Sequence, residues 1–186
     1  MLDINIDIHT HSGGIRKDAV LCIDPVVTRR LPDGDGLLSV GIHPANADKT
    51  TPLTWQLFDL WLDDPRVIAV GETGFDRLVD VEVALQEKVF VRQARAAAAH
   101  NFLPLVLHCV RASDILLRMR KELLQQFGSQ LNERHEEWQW IFHGFRGKPD
   151  LAEQLLRAGI DLSFGKRYNS DSFNLTPSER RYRETD

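Results

Sequence analysis

Short apolar runs alternate along the chain with stretches in which apolar residues recur every three or four positions. The first rhythm belongs to buried strands and the second to amphipathic helices. Strands are predicted at Asp3–Ile8, Ala19–Ile23, Leu37–Gly41, Val67–Gly71, Pro104–Leu107, Trp138–Phe142, Ile160–Phe164 and Arg181–Thr185. A helical stripe of Leu57, Phe58, Trp61 and Leu62 follows Pro52, which suits a first turn. A longer helix carries Leu85, Val89, Ala96 and Ala97 and ends near Asn101. Ile115, Leu116, Met119, Leu123 and Phe127 make a third, with Gly128 as its expected stop. A fourth holds Leu151, Leu155 and Leu156 between Pro149 and Gly159, and Asn132–Glu137 reads as a polar loop.

Strands alternating with helices favour a parallel sheet, and eight of them favour its closure. The expected fold class is therefore α/β, a TIM-type (β/α)8 barrel over residues 1–186 as one domain. Barrels of this class usually run to about 250 residues, so this one is minimal. Only Thr10–Asp18 joins the first two strands and Asp24–Gly36 the next two, too short for crossover helices, and no helix follows the last strand. Ile4, Ile6 and Ile8 are expected to face outward, where a neighbouring subunit could cover them; the sequence does not give an oligomeric state.

Composition narrows the class. Hydrophobic content of 42% and charged content of 27% are ordinary for a globular protein. No apolar run approaches the ~20 residues that cross a bilayer, so no membrane partner is expected. The start, Met1-Leu2-Asp3, lacks the basic, apolar pattern of an export signal. Cys22 and Cys109 stand far apart, which suits a reducing compartment, and the expected location is the cytoplasm. A net charge of −4 argues against a protein coated in nucleic acid but leaves room for a local basic face.

Candidate chemistry collects at the carboxyl ends of the predicted strands, the edge where barrel active sites are built. His9 and His11 are alternate residues after an Ile-rich run, so both can reach one ion. Glu72 sits in Gly71-Glu72-Thr73-Gly74-Phe75-Asp76, where the glycines would leave space for an ion and a carboxylate can bridge two. The competing reading is a turn whose Glu72 and Asp76 cap the next helix. His108, His143 and Asp186 close three more strands. A structural histidine is unremarkable at any one place, but the coincidence at five strand ends favours a metal centre. His100 and His135, at a helix end and in a polar loop, are left outside it.

The chain resembles the TatD-related metal-dependent deoxyribonucleases of the amidohydrolase superfamily. The resemblance lies in Asp7-Ile-His-Thr-His11, Val40-Gly-Ile-His-Pro44, Gly71-Glu-Thr-Gly-Phe-Asp76, Leu105-Val-Leu-His108, His143-Gly-Phe-Arg-Gly147 and Glu184-Thr-Asp186, in the family's order. It implies a TIM barrel with two divalent cations (zinc, manganese or magnesium). His9, His11, Glu72 and Asp186 would hold the first; Glu72 would bridge to the second, completed by His108 and His143. It also implies hydrolysis of nucleic acid phosphodiesters, in some members as 3′-to-5′ exonucleases on single-stranded DNA, and in others deacylation of D-aminoacyl-tRNA. Glu72 and Asp186 are the expected catalytic residues, Asp186 orienting a water and accepting its proton.

Two features depart from the family. The last strand reads Arg181-Tyr182-Arg183 where the family is apolar, and the family's final helix has no counterpart after Asp186, which leaves that residue on an end expected to be unanchored. Substrate contacts are expected from His43, Arg77, Arg111, Arg146 and Lys166, with Arg16, Lys17, Arg29, Arg30, Lys148 and Arg167 on the same loops; Arg suits phosphate oxygens, while the competing readings are a structural cap for His43 and the charge that loops collect in any case. Phe75 and Phe145 could stack on bases or pack the barrel rim. The alternatives to a nuclease are an amide or ester hydrolase on the same scaffold, or a degraded barrel that only binds.

Overall fold

The computed structural model describes residues 2–134 and 137–186. Eight parallel strands close into a barrel in sequence order: β1 Asp7–Thr10, β2 Ala19–Ile23, β3 Leu37–Val40, β4 Val67–Asp76, β5 Leu105–Val110, β6 Trp140–Phe142, β7 Ile160–Phe164 and β8 Arg181–Arg183. The helices are α1 Pro52–Leu62, α2 Val83–Ala99, α3 Ser113–Arg134, α4 Pro149–Arg157 and α5 Ser170–Leu175. None among the described residues is long and apolar enough to cross a membrane.

Apart from β8, whose Arg183 is exposed, the strands are largely buried on both faces, which is why they read as apolar runs. Leu105, Leu107, Trp140 and Phe142 point outward against a helix layer that includes Phe58, Phe90 and Leu155. Ile8, Ala69, Val106, Ile141 and Tyr182 fill the barrel itself. At the amino-terminal end Gln139 donates to Tyr182 and to Asp161 (3.1 Å) and accepts from Leu2 N (2.8 Å), a polar network that ties β6, β7 and β8 to the start of the chain. Two helices carry clear start signals. Thr51 and Thr54 cap α1 reciprocally ahead of Pro52, and Pro149 opens α4.

The β1–β2 and β2–β3 connections have no helix, as expected. Arg66 stabilises the longer one, donating to Pro32 O (2.8 Å) and Gly34 O (2.9 Å) while Asp64 grips its guanidinium. Four local expectations need correction. Residues Asp3–Ile6 form a turn, with Asn5 N on Asp3 Oδ1 at 2.9 Å, so β1 starts at Asp7. Ile8 is consequently inside the barrel with no exposed surface, Ile6 is half-buried beside the same cluster, and only Ile4 is exposed. Gly128 does not end α3, which continues through Asn132 to Arg134; His135 lies outside the described residues. The carboxyl end is tied: Thr185 donates through N to Asp7 Oδ1 (3.2 Å) and through its hydroxyl to Asp7 Oδ2. Glu184 accepts from Gly144 N (2.8 Å) and Ser163 Oγ (2.7 Å). Of the two unexpected arginines, Arg181 stacks over Phe173 of α5 at 4.1 Å, and Arg183 meets solvent.

Candidate metal centre

β4 runs five residues past its predicted end, carrying Glu72 to the barrel axis. Its glycines serve strand approach, not the space for an ion expected from the sequence. At Gly74 φ is +141°, and a Cβ would lie 2.0 Å from His108 O on β5. A Cβ at Gly71 would lie 2.6 Å from Val106 O. Glu72 and Asp76 do not cap α2, whose first residue is Val83 and whose preceding residue Glu82 makes no side-chain cap.

Glu72 presents its two oxygens to different histidines. Oε2 lies 3.1 Å from His11 Nε2 and 3.4 Å from His9 Nε2; Oε1 lies 2.5 Å from His108 Nδ1 and 2.7 Å from His143 Nε2. Asp186 Oδ1 stands on the first side, 3.7 Å from His11 and 4.0 Å from His9. The structure thus brings together all six residues expected to bind metal. His43 joins them on the second side, 3.6 Å from Glu72 Oε1 and 3.3 Å from His108 Nδ1.

Local hydrogen bonds select the ring tautomers. His108 lies between two carboxylates, Nε2 3.1 Å from Asp76 Oδ2 and Nδ1 2.5 Å from Glu72 Oε1; with a cation bound, the proton would stay on Nε2 toward Asp76 and free Nδ1 as a ligand. His43 Nδ1 accepts from Ala45 N at 3.1 Å, so the neutral ring carries its proton on Nε2. That makes His43 a donor toward the cavity and a poor ligand, although it lies close enough to Glu72 and His108 to form a ligand triplet with them.

Electrostatics follow from crowding imidazoles round one buried carboxylate. Burial alone would raise the Glu72 carboxyl, but hydrogen bonds from His108, His11 and His143 outweigh it and hold the group far below the usual range. Burial lowers His9, only partly offset by Glu72, and pulls His43 down to about 4. Glu72 raises His11. For His108, burial is outweighed by Glu72 and Asp76 together, and its value rises. Neutral imidazole is the form that binds a cation. His9 has no exposed surface, yet neither of its ring nitrogens has a hydrogen-bond partner; His143 Nδ1 is also unpartnered. Orphaned buried polar atoms are uncommon, and a bound cation would satisfy them. The residues present fit divalent metal ions.

A cavity of about 570 Å³ opens onto this cluster. Of the expected substrate contacts, only His43 lines it. Arg77 is paired with Asp114 at 2.7 Å and donates to Arg111 O; Arg111, Arg146 and Lys166 are exposed on loops beyond the cavity wall. Phe75 and Phe145 are buried, Phe75 against Phe90 and Phe145 against Phe142, so base stacking is excluded and they belong to the core.

Several site residues escaped sequence reasoning. Gln86 and Gln93 of α2 are buried and hold strand ends: Gln86 accepts from Asp76 N (2.8 Å), and Gln93 accepts from Ile42 N (2.7 Å) and donates to Thr73 Oγ1 (2.7 Å). Asp24, after β2, positions the His43 loop by accepting from His43 N (3.2 Å) and Asn46 Nδ2 (2.9 Å). Cys22 receives Glu72 N at 3.0 Å. Polar residues inside otherwise apolar stripes were the available signal for the two glutamines.

Residues 30–186 match the family model described as TatD related DNase. The chain belongs to the TatD related DNase family. The match begins after β2, so His9 and His11 of this TatD-family chain fall outside it. A Klebsiella pneumoniae protein named 3'-5' ssDNA/RNA exonuclease TatD is 23% identical over 122 residues, 66% of this chain and 43% of the relative. The Bacillus subtilis protein named uncharacterized metal-dependent hydrolase YabD is 29% identical over 130 residues, 68% of this chain and 46% of the relative. The matched region thus spans less than half the length of these curated relatives. Among solved structures, the TatD homologue YjjV from Escherichia coli superimposes with a TM-score of 0.70 at 20% identity, over 90% of this chain and 66% of that one. An Entamoeba histolytica TatD-family hydrolase gives 0.67 at 21% identity, over 82% and 50%. These two support the TatD-family barrel as a fold.

Proposed function

We propose that the protein hydrolyses phosphodiester bonds of nucleic acid, with single-stranded DNA as substrate, using two divalent cations held on either side of Glu72. The observation that carries this is the division of Glu72, one oxygen toward His9 and His11 and the other toward His108 and His143. Family membership and the exonuclease names of relatives support the substrate class. Bound cations would supply Lewis-acid stabilisation of phosphoryl charge and a water acidic enough to ionise near neutral pH. Mixed nitrogen and oxygen donors favour zinc or manganese over magnesium.

The chain's own residues divide the remaining work. Glu72 fixes the spacing of the two histidine groups. Asp186, at the cavity mouth with its side chain 41% exposed, orients the attacking water and accepts its proton. His43, protonated on Nε2 and neutral, donates to a phosphate oxygen entering the cavity. Arg146 and Lys166 attract the polyanion from the rim.

The test pairs metal analysis with cleavage of a fluorescent single-stranded oligonucleotide. Cleavage that a chelator abolishes and added metal restores is expected. Bound metal without cleavage would overturn the substrate assignment; absence of bound metal would overturn the centre itself.

A further inference from the structure

Cys22 stands inside the site, although neither the expected ligand set nor the roles just assigned include it. It ends the inward face of β2, lines the cavity and is partly exposed there. Its sulfur, a His9 ring nitrogen and a Glu72 oxygen all lie within 4.8 Å of one another. Two further observations point to a ligand at this spot. His9 is completely buried and neither ring nitrogen makes a hydrogen bond, although Nε2 lies 3.4 Å from Glu72 Oε2, so an imidazole close to the sulfur lacks a partner. The Glu72 amide donates to the sulfur at 3.0 Å, which fixes the sulfur beside that residue. Ser39, paired in register with Cys22 across β2 and β3, adds a buried hydroxyl with no hydrogen-bond partner.

We infer that Cys22 is a thiolate ligand to the cation on the His9 and His11 side of Glu72, which makes that half of the centre selective for thiophilic metals. This deepens the metal-centre reading above and rests on it. On binding, the sulfur–metal bond forms as the thiol proton passes to solvent, so the site takes up one cation and releases that proton. Sulfur, imidazole and carboxylate donors together favour zinc, cobalt or cadmium over manganese and magnesium, which prefer oxygen. Among the described residues, the cluster of His43, Glu72 and His108 on the other side includes no cysteine and keeps the nitrogen and oxygen preference. The two halves should therefore differ in metal choice.

Cobalt(II) substitution tests the inference, because thiolate coordination produces a charge-transfer band in the near ultraviolet that imidazole and carboxylate do not. The chain has two cysteines, and Cys109 packs on the outer face of β5 against the helix layer, so the band has one available source. The metal-free full chain is titrated with cobalt, and bound metal is counted by equilibrium dialysis. The wild type and Cys109→Ser are expected to show the band, and Cys22→Ser to bind cobalt without it. Zinc affinity of Cys22→Ser should fall about tenfold or more while manganese affinity changes by less than about twofold. Cobalt bound by the wild type with no such band overturns the role of Cys22 but leaves the metal centre standing. A band that survives Cys22→Ser also overturns it. Failure to bind cobalt at all overturns both, and the dialysis count separates that outcome from the others.

Discussion

Replacing Glu72 with Gln keeps the shape of the side chain but removes its charge and turns one oxygen into an amide that cannot ligate. Each oxygen faces its own histidine pair at 2.5–3.4 Å, so one substitution weakens both halves of the centre. Loss of a well-placed metal partner costs roughly 10–100-fold in affinity. At a free metal concentration about 1,000 times Kd, binding stabilises the folded state by about 4.1 kcal/mol. A 100-fold weaker site leaves about 1.4 kcal/mol at the same concentration. For a chain of this length 1 kcal/mol moves Tm by about 2–4 °C, so the shift contributed by each bound ion should fall from about 8–16 °C to about 3–6 °C. Thermal unfolding with chelator and with saturating zinc or manganese measures it. Because the difference is taken within each variant, any change in the metal-free stability of Glu72→Gln cancels. An undiminished shift in the variant would refute a bridging role for Glu72, whatever happened to activity.

Other perturbations read different parts of the structure. Asp186→Asn should leave the fold intact and cut turnover by about 100-fold or more, as expected for loss of a general base; full activity in an oligonucleotide cleavage assay would remove Asp186 from the proton transfer. Gly74→Ala forces a Cβ to within 2.0 Å of His108 O at a φ of +141°, so it should cost more than about 4 kcal/mol in urea unfolding, or fail to accumulate as folded protein. Arg120, buried, donates to Trp138 O (2.9 Å), Ala158 O (3.2 Å) and Gly159 O (3.2 Å), so Arg120→Met should cost about 3 kcal/mol with metal content unchanged. Burial pushes the Cys109 thiol up to about 12, so the folded state keeps a proton that the unfolded chain loses above its ordinary value of 9. Stability from this group is fully present below pH 9 and lost as pH rises toward 12. Cys109→Ala should therefore flatten the alkaline loss by up to about 1.4 kcal/mol at pH 10, read from urea midpoints at pH 8 and 10.

The parts that were legible in the sequence share a physical cause. Strands buried on both faces must be apolar throughout, and helices packed on one face must repeat their apolar residues, so Val67–Val70, Leu105–Leu107 and the stripe from Ile115 to Phe127 announce themselves. Local signals misled where a competing interaction settled the conformation. The alternation of Ile4, Ile6 and Ile8 looked like a strand, but the Asp3 carboxylate turns the chain at Asn5. Gly128 looked like a stop, but nothing there requires left-handed backbone and the helix runs on. The short α5, held by Asn169 accepting from Asp171 N and Ser172 N, has too few turns to show a period.

The centre divides along the same line. His9, His11, Glu72, His108 and His143 could be picked out because each is an unusual residue at the end of an apolar run, and position in a barrel strand translates directly into position in space; Asp186, after the polar Arg181-Tyr182-Arg183, was legible only through its place at the last strand and the family's Glu-Thr-Asp ending. Cys22, Asp76, Gln86 and Gln93 could not. A cysteine or a glutamine is ordinary on a strand or a helix, and its role depends on what another segment brings opposite: the Glu72 amide for Cys22, the His108 ring for Asp76, the Asp76 and Ile42 amides for the glutamines. Those contacts depend on the register between strands and on where α2 lands on the barrel. Such positioning residues should consequently tolerate conservative replacement poorly despite their common identity. Gln93→Glu keeps the acceptor for Ile42 N but loses the donor to Thr73, and should weaken zinc binding several-fold while leaving every metal-type side chain in place. Unchanged affinity in that variant would show that the strand ends hold the centre without help from α2.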